Sequence, residues 1–226
     1  MTARSLRELN AIPLLAHVHG NGLQPLVSAM TGRAYEDRQV IFCEGTRCEG
    51  LFIVKSGQVK LLRSSQGKEQ LLAILGKNDP LDLVPFLDGG SHTFTACARG
   101  PVRLYFVEYA IARDLIWNNP PLLSAVLMIV SARLRKLATI ASDLAFKDVT
   151  ARICKVLLDQ ARVDGKQYRG GICIPRTLSQ HEFAAMVGTV REVAWRALKK
   201  LERDGLVKIE RHQITLVDVD RLSAMV

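Results

Sequence analysis

Short apolar segments separated by turn-forming residues make up the first half of the chain. Glycine lies in most of the breaks, as in Ser56-Gly57 and Gly100-Pro101, and such breaks are typical of turns between strands. Closely spaced strands with this punctuation predict a small antiparallel β-roll, jelly-roll-like, over residues 1–118. The interior of such a roll offers room for a small ligand. The predicted strands are residues 40–42, 51–54, 59–62, 71–75, 94–97 and 102–107.

A heptad pattern begins after Asn119, which can cap a helix whose first turn holds Pro120 and Pro121. Its apolar positions follow a 3,4,7,3,4 spacing that only Arg133 interrupts. A narrow seam of this kind is typical of a coiled coil, so it predicts a dimerisation helix over residues 119–146. The alternative is a long helix packed on its own β-roll. The predicted dimer seam is Leu123, Val126, Val130, Leu137, Ile140 and Leu144.

The last third of the chain combines short helical patterns with short β patterns, unlike the β-like first half and the long heptad segment that follows it. Two short predicted helices are joined by Gly188 and followed by two short strands, which together predict a winged helix-turn-helix over residues 147–226. The whole chain is therefore expected to be α+β. The elements predicted here are a helix over 148–163, a Gly-rich loop over 164–171, a strand at 173–174, helices over 179–187 and 191–203, strands over 206–209 and 214–217, and a last helical turn over 218–225.

Local signals support this helix-turn-helix. Ser179 can cap the first of the two helices, and Glu182, three residues later, completes a capping box. Gly188 stands where the tight turn requires positive φ. These signals fix the start of one helix and the turn before the next.

The second helix predicts a DNA-reading face. Side chains three and four residues apart gather on one side of it, where arginine can bond guanine and glutamate can accept from cytosine in the major groove. A tryptophan on this face is rare for a merely solvated helix, which is the alternative reading of the charges. We assign base reading to Arg191, Glu192, Trp195 and Arg196, and DNA-phosphate contacts to Ser179, Gln180, Lys199 and Lys200.

Charge and composition narrow the class of protein. Lysine and arginine number 31 and aspartate and glutamate 22, a formal net charge of +9 that attracts polyanions such as nucleic acid. Hydrophobic residues make up 48%, which excludes a disordered chain. The five cysteines are odd in number and scattered, which argues against a disulfide framework. With no apolar run of about 20 residues and no signal peptide, we expect a cytoplasmic protein.

The chain resembles the Crp/Fnr superfamily of bacterial transcription regulators over nearly its whole length. The resemblance is carried by residues 45–60 and 67–69 in the β-roll, 144–153 around a hinge, and 182–198 in the DNA-binding domain. It implies a homodimer that binds palindromic double-stranded DNA and contacts RNA polymerase, with Phe146 and Asp148 at the hinge. The trio Arg191, Glu192 and Arg196 resembles the subgroup that reads TGTGA-type half-sites.

The β-roll departs from the cyclic-AMP-binding members of this superfamily. Those members have Gly-Glu and Arg-Ser pairs for ribose and phosphate, where this chain has Asp82-Leu83 and His92-Thr93; their Thr-Ser pair on the long helix is Leu137-Ala138 here. A phosphate needs a positive or donor-rich cradle, so we do not expect cyclic AMP. An effector pocket lined by Leu83, His92, Thr93, Leu137 and Ala138 predicts a less polar ligand or a gas-binding cofactor. The alternative is an effector-independent regulator whose β-roll is only a scaffold.

Other cofactors and an enzymatic function have little support in the sequence. The iron–sulfur sensors of the superfamily need an N-terminal cysteine cluster, but no cysteine precedes Cys43. Cys43, Cys48 and Cys97 are candidates for a thiol role, although cysteine is more often a small core residue. Heme would require an axial ligand, for which the candidates are His17, His19 and His92. The remote alternative is an enzyme or carrier built on the β-barrel, for which we find no catalytic set at a defensible spacing.

Overall fold

The computed structural model describes residues 11–16, 24–66, 68–168 and 170–226. The chain divides into two compact units: residues 1–63 with 72–136, and residues 64–71 with 137–226. In chain order the elements are α1 (Gln24–Ala29), β1 (Thr31–Tyr35), β2 (Val40–Phe42), β3 (Gly50–Ser65), β4 (Lys68–Leu75), α2 (Val84–Asp88), β5 (Thr95–Glu108), α3 (Tyr109–Trp117), α4 (Pro120–Phe146), α5 (Val149–Asp164), β6 (Lys166–Tyr168), β7 (Gly171–Pro175), α6 (Gln180–Val187), α7 (Arg191–Arg203), β8 (Val207–Ile209), β9 (Gln213–Leu216) and α8 (Val219–Ala224).

The first unit is the predicted antiparallel β-roll with helices packed on it. Its sheet has the order β1-β5-β3-β4, and β2 pairs with β5 as well. Alternate side chains of the long strands, such as Val54, Val59 and Leu104, form one buried cluster. A second cluster joins the helices to the other face and contains Phe86, Ile116 and Leu122 among others. The antiparallel fold predicted for this part of the chain is confirmed.

The strands of the roll are longer than the sequence predicts. Segments 51–54 and 59–62 belong to the single strand β3, and both 95–97 and 102–107 belong to β5, which begins one residue after the predicted start at Phe94. The register between β3 and β5 shifts on either side of Ser56, so the predicted turn there is an irregularity within the strand. Gly57 has φ +86°, and a Cβ on it would lie 2.4 Å from the Pro101 carbonyl oxygen, so only glycine fits.

The long helix α4 presents two apolar faces rather than one. Val126 is fully buried in the core of the first unit, and Leu123 and Val130 pack against that core. Val126 therefore cannot contact a second protomer, which corrects its assignment to the dimer seam. The large apolar side chains that α4 exposes include Leu127, Met128, Leu134, Leu137 and Leu144.

The second unit contains the winged helix-turn-helix. Its four-stranded sheet has the order β6-β7-β9-β8, and its core unites Ile153 and Leu157 of α5 with Leu198 of α7 and Leu216 of β9. The sequence predicts a loop over residues 164–171, but Lys166–Tyr168 form β6, which pairs with β7. The signal was weak because the three residues of β6 are all exposed and carry no alternating apolar pattern.

Across the described ranges no single helix is long and apolar enough to span a membrane. Only α3 and α4, which meet at a bend of 105°, reach that length and composition as a pair.

Candidate nucleic-acid interface

The helix-turn-helix is built by the local signals that the sequence predicts. The Ser179 hydroxyl oxygen accepts from the Glu182 N–H at 3.2 Å, and the Ser179 N–H donates to the Glu182 carboxylate at 2.9 Å. Both halves of the capping box are therefore present. Gly188 ends α6 with φ +75° and ψ +45°, in the left-handed region where glycine carries no steric cost.

The helix α7 has one buried and one exposed face. Ala194, Leu198 and Leu201 are buried in the core of the second unit. Arg191, Glu192 and Arg196 are exposed on the other side of the helix. The side chains of Arg191 and Glu192 are 60% and 65% exposed and lie 3.5 Å apart. An exposed ion pair of this kind contributes little to stability. Breaking it so that Arg191 and Glu192 can each contact a ligand therefore costs little free energy.

Trp195 is not the exposed residue that the sequence predicts. Its ring is half-buried and packs against the core cluster of the second unit. The Arg176 guanidinium carbon lies 5.7 Å from the ring centroid, and the Lys199 ammonium nitrogen lies 5.0 Å from it. The sequence did not indicate Arg176, because nothing in the local pattern of residues before α6 relates it to α7.

The predicted phosphate contacts differ in their exposure. Ser179, Gln180 and Lys200 are exposed, whereas Lys199 is half-buried. The Lys199 ammonium donates to the Glu202 carboxylate at 2.7 Å, and the Ile209 N–H donates to the same carboxylate at 2.9 Å. These two hydrogen bonds, that from Lys199 first, lower the pKa of Glu202. Glu202 thus links α7 to β8 and holds Lys199 in place.

The predicted hinge joins α4 to α5, and charged side chains form hydrogen bonds and ion pairs across it. Asp148 caps α5 by accepting from the Ala151 N–H at 2.8 Å, and Phe146 is 86% exposed. Arg152 donates to the Lys147 carbonyl oxygen at 2.7 Å and to the Val187 carbonyl oxygen at 2.8 Å. One guanidinium therefore contacts both the hinge and the last residue of α6.

A second set of these contacts crosses the same hinge. The Asp143 carboxylate, on α4, lies 3.0 Å from the ammonium of Lys147, the residue that follows α4, and also accepts a hydrogen bond from Lys155 on α5. Burial raises the pKa of Asp143, but the hydrogen bonds from Lys155 and Lys147 outweigh it and lower that pKa below its ordinary value.

Three of the residues predicted to line an effector pocket lie in the first unit: Leu83, His92 and Thr93. Leu83 and His92 are buried, and so is the Asp82 side chain. One Asp82 oxygen accepts from the Thr93 N–H at 3.0 Å and lies 3.2 Å from His92 Nδ1. Leu137 and Ala138, the other predicted lining residues, are exposed on α4 and belong to the second unit.

Two features near Asp82 were not predicted. The guanidinium of Arg133, which interrupts the predicted seam, donates to the carbonyl oxygens of Pro80 and Leu81. Burial lowers the pKa of Arg133, and the negative charges of Asp82 and Asp79 oppose this shift. His92 Nε2 is buried with no hydrogen-bond partner among the described residues, and the His92 ring stacks on Phe42 at a centroid distance of 3.7 Å.

The candidate cofactor ligands are dispersed. Cys43 is exposed, while Cys48 is buried, and burial raises the pKa of the Cys48 thiol to about 11. The Cys97 thiol contacts the Arg38 carbonyl oxygen at 3.1 Å. The described part of the chain has no group of three or more His, Cys, Asp or Glu side chains placed to hold a metal ion. His17 and His19 lie outside the described residues.

Both parts of the chain match models of known protein families. The family model of the cyclic nucleotide-binding domain matches residues 32–119, and that of the Crp-like helix-turn-helix domain matches residues 151–225. The chain is 32% identical over 184 residues to the CRP-like cAMP-activated global transcriptional regulator of Mycobacterium tuberculosis, a match that covers 81% of this chain and 82% of the relative. It is 30% identical over 203 residues to the cAMP-activated global transcriptional regulator Vfr of Pseudomonas aeruginosa, covering 87% and 88%.

Solved structures share the fold. The c-di-GMP responsive global regulator CLP of Xanthomonas campestris has a TM-score of 0.76 and 26% identity, and the match covers 87% of this chain and 98% of CLP. A CooA mutant from Carboxydothermus hydrogenoformans has a TM-score of 0.77 at 22% identity, covering 94% of each chain, which shows the fold alone. The relatives are transcription regulators and not enzymes. The chain belongs to the Crp/Fnr superfamily and is a transcription regulator with a Crp-like helix-turn-helix DNA-binding domain.

Proposed function

We propose that the protein is a homodimeric regulator that reads a palindromic DNA operator with α7 in the major groove. The observation that carries this proposal is the pair of faces on α7: the apolar face is buried in the second unit, while Arg191, Glu192 and Arg196 are exposed together. An arginine donates two hydrogen bonds to guanine, and a glutamate accepts one from cytosine. These three side chains are therefore the base-reading set, with RNA polymerase as a further partner of the bound dimer.

The first turn of α6 supplies backbone contacts to the operator. Ser179 and Gln180 lie at its start and are exposed, and a helix N-terminus favours a phosphate. The Ser179 hydroxyl accepts from the Glu182 N–H and still has its own hydrogen to donate. Lys200, exposed near the end of α7, is a further phosphate contact. Such contacts fix the register of the helix on the duplex.

The partner on α4 is a second copy of this chain. The exposed face of α4 supports a seam with an uninterrupted 3,4,3,4,3 spacing, the signature of a coiled coil. Compared with the seam predicted from sequence, it keeps Val130, Leu137 and Leu144 and omits Leu123, Val126 and Ile140. The revised seam passes through Leu134 and so does not include Arg133, whose side chain donates to the carbonyl oxygens of Pro80 and Leu81. The revised seam is Leu127, Val130, Leu134, Leu137, Ala141 and Leu144.

Selection from random duplexes tests the DNA proposal directly. The full-length protein should enrich a palindrome whose two half-sites are centred about 10 base pairs, or about 34 Å, apart. The logarithm of its affinity should fall linearly with the logarithm of the salt concentration, because phosphate contacts release counterions. An Arg191→Ala variant serves as the matched loss of one reading residue. Equal affinity for every duplex sequence would refute sequence-specific reading by α7.

For regulation, we propose control by an effector other than cyclic AMP, bound in the β-roll. Asp82 is buried and accepts hydrogen bonds from its own chain, so its negative charge opposes a phosphate in that region. Leu83 presents an apolar side chain beside it. These residues favour a less polar ligand or a gas-binding cofactor such as heme over a nucleotide, and they give no support to an iron–sulfur cluster.

The second candidate is an effector-independent regulator, and one observation favours it. Asp82, Leu83, His92 and Phe94 are all buried, so the region is filled by the protein's own side chains. Native mass spectrometry of protein purified from its source, with DNA affinity measured in the presence and absence of cell extract, separates the two. An adduct and a changed affinity indicate an effector; the apoprotein mass with an unchanged affinity indicates constitutive binding.

A further inference from the structure

Two cations lie close to the ring of Trp195, which belongs to the proposed DNA-reading helix α7. Arg176 comes from the segment that links β7 to α6, and Lys199 lies one helical turn after Trp195 on α7. Their charged groups are 5.7 Å and 5.0 Å from the indole centroid, within the distance at which an aromatic ring attracts a cation. Tryptophan is the side chain that binds cations best in this way. The ring therefore acts on both charges at once.

The platform formed by the Trp195 ring is itself fixed. The ring packs against the core cluster that contains Leu198 and Ile214, so its orientation is set by the fold. Lys199 is held further by Glu202, whose carboxylate is anchored by the Ile209 N–H at 2.9 Å. The two cations thus lie against a rigid surface.

The two cations differ in the charge that they offer. Lys199 is paired with Glu202 at 2.7 Å. For Arg176, no carboxylate of the described ranges lies within ion-pair distance. Its guanidinium contacts an uncharged ring, which leaves its N–H groups able to donate to another acceptor. Arg176 is therefore the stronger candidate for an anion contact, and Lys199 the weaker one.

We propose that Trp195 is a positioning residue that holds Arg176 and Lys199 as a pair of DNA-phosphate contacts, and that it reads no base. This inference rests on the proposed function of α7. Lysine and arginine side chains lose much rotational freedom when they bind a phosphate, and a side chain already held against a ring loses less. The proposal adds Arg176 to the phosphate-binding set and moves Trp195 out of the base-reading set.

The salt dependence of DNA binding measures the number of phosphate contacts and tests this proposal. Full-length variants are titrated against the selected palindrome and against its single-base substitutions over a range of salt concentrations. For Arg176→Ala we expect the slope of log affinity against log salt to fall by about one phosphate contact, with the order of base preferences unchanged. For Trp195→Ala we expect a fall of at least that size, and for the double variant Arg176→Ala with Trp195→Ala no further loss beyond Trp195→Ala.

Two further variants keep the test decisive. Trp195→Phe retains an aromatic face and a packed core, so it should keep most of the wild-type slope even if Trp195→Ala is poorly folded. Arg221→Ala removes an exposed cation of the same charge from α8 and should keep the wild-type slope. A wild-type slope for Arg176→Ala would overturn the proposal. So would a Trp195 variant whose preference changes at one base pair while its slope does not. If the wild-type protein shows no salt-dependent preference for any duplex, the proposed function itself falls.

Discussion

Among single residues, Arg196 offers the sharpest test of base reading. It is exposed in the middle of α7, one turn after Glu192, and a bidentate bond to guanine would discriminate against other bases. We expect Arg196→Ala to weaken operator binding by about 1–3 kcal/mol and to relax preference at one base pair of each half-site. Fluorescence anisotropy over the set of singly substituted operators measures both effects.

A control for this substitution comes from the same unit. Arg162 forms an exposed ion pair with Asp159 at 3.1 Å on α5, and it is not one of the residues assigned to base reading or to phosphate contacts. Arg162→Ala should leave base preferences as they are in the wild type. If Arg196→Ala also leaves every base preference unchanged, then Arg196 does not belong to the base-reading set.

At the scale of secondary-structure elements, the ion pairs at the hinge between α4 and α5 predict a pH dependence. The Asp143 side chain, on α4, is 15% exposed and forms ion pairs with Lys147 in the hinge and with Lys155 on α5. Because its pKa is lowered by folding, its stabilisation is present above the ordinary aspartate pKa of about 3.9 and is lost as the pH falls through the lower, folded value. We expect Asp143→Asn to reduce the free energy of unfolding on the order of 1 kcal/mol at pH 7, and urea unfolding measures it.

The same experiment at acid pH identifies the cause. As the pH falls through the lowered pKa of Asp143, the wild-type carboxylate becomes protonated as well, so the difference in stability between wild type and Asp143→Asn should shrink. Asp159→Asn, in a more exposed ion pair, should change stability by less than about 0.5 kcal/mol at either pH. A difference for Asp143→Asn that stays the same at low pH would show that its charge is not the stabilising feature.

The helices and strands differ in how well they could be predicted from the sequence. The winged helix was predicted nearly helix by helix, because its signals are local: a capping box at Ser179, a left-handed Gly188 and an amphipathic α7. The strands of the roll were divided too finely, because the irregularity at Ser56 and Gly57 depends on the partner strand β5, which the local sequence does not reveal. Trp195 was predicted to be exposed because it shares a helix face with Arg191 and Arg196, whereas its packing against the core of the second unit depends on residues distant in sequence.

For the whole molecule, the dimer is the arrangement that the operator proposal needs. Leu137 is 38% exposed on α4 and lies in both the predicted and the revised seam. We expect Leu137→Asp to produce monomers, because the carboxylate would be buried in the seam without a partner. Sedimentation equilibrium measures the change, and palindrome binding should weaken with it.

The matched substitution for this prediction is Val163→Asp. Val163 is 81% exposed near the end of α5 and lies outside α4, so this variant should remain dimeric. A Leu137→Asp protein that stays dimeric would show that the interface lies on another surface. The loss of palindrome affinity in the Leu137→Asp protein then measures how much affinity is gained when two linked protomers bind the two half-sites together.

The two faces of α4 have a consequence for how variants of this helix behave in heat. Shortening Val126, which is fully buried, removes packing within one chain and should lower the melting temperature by the same amount at every protein concentration. Shortening Leu134, which is 66% exposed, removes contacts that only a second chain can supply. The difference in melting temperature between this variant and the wild type should therefore grow as the protein concentration is raised and vanish on dilution. A dilution series thus assigns each position of α4 to the interior of one chain or to the dimer interface.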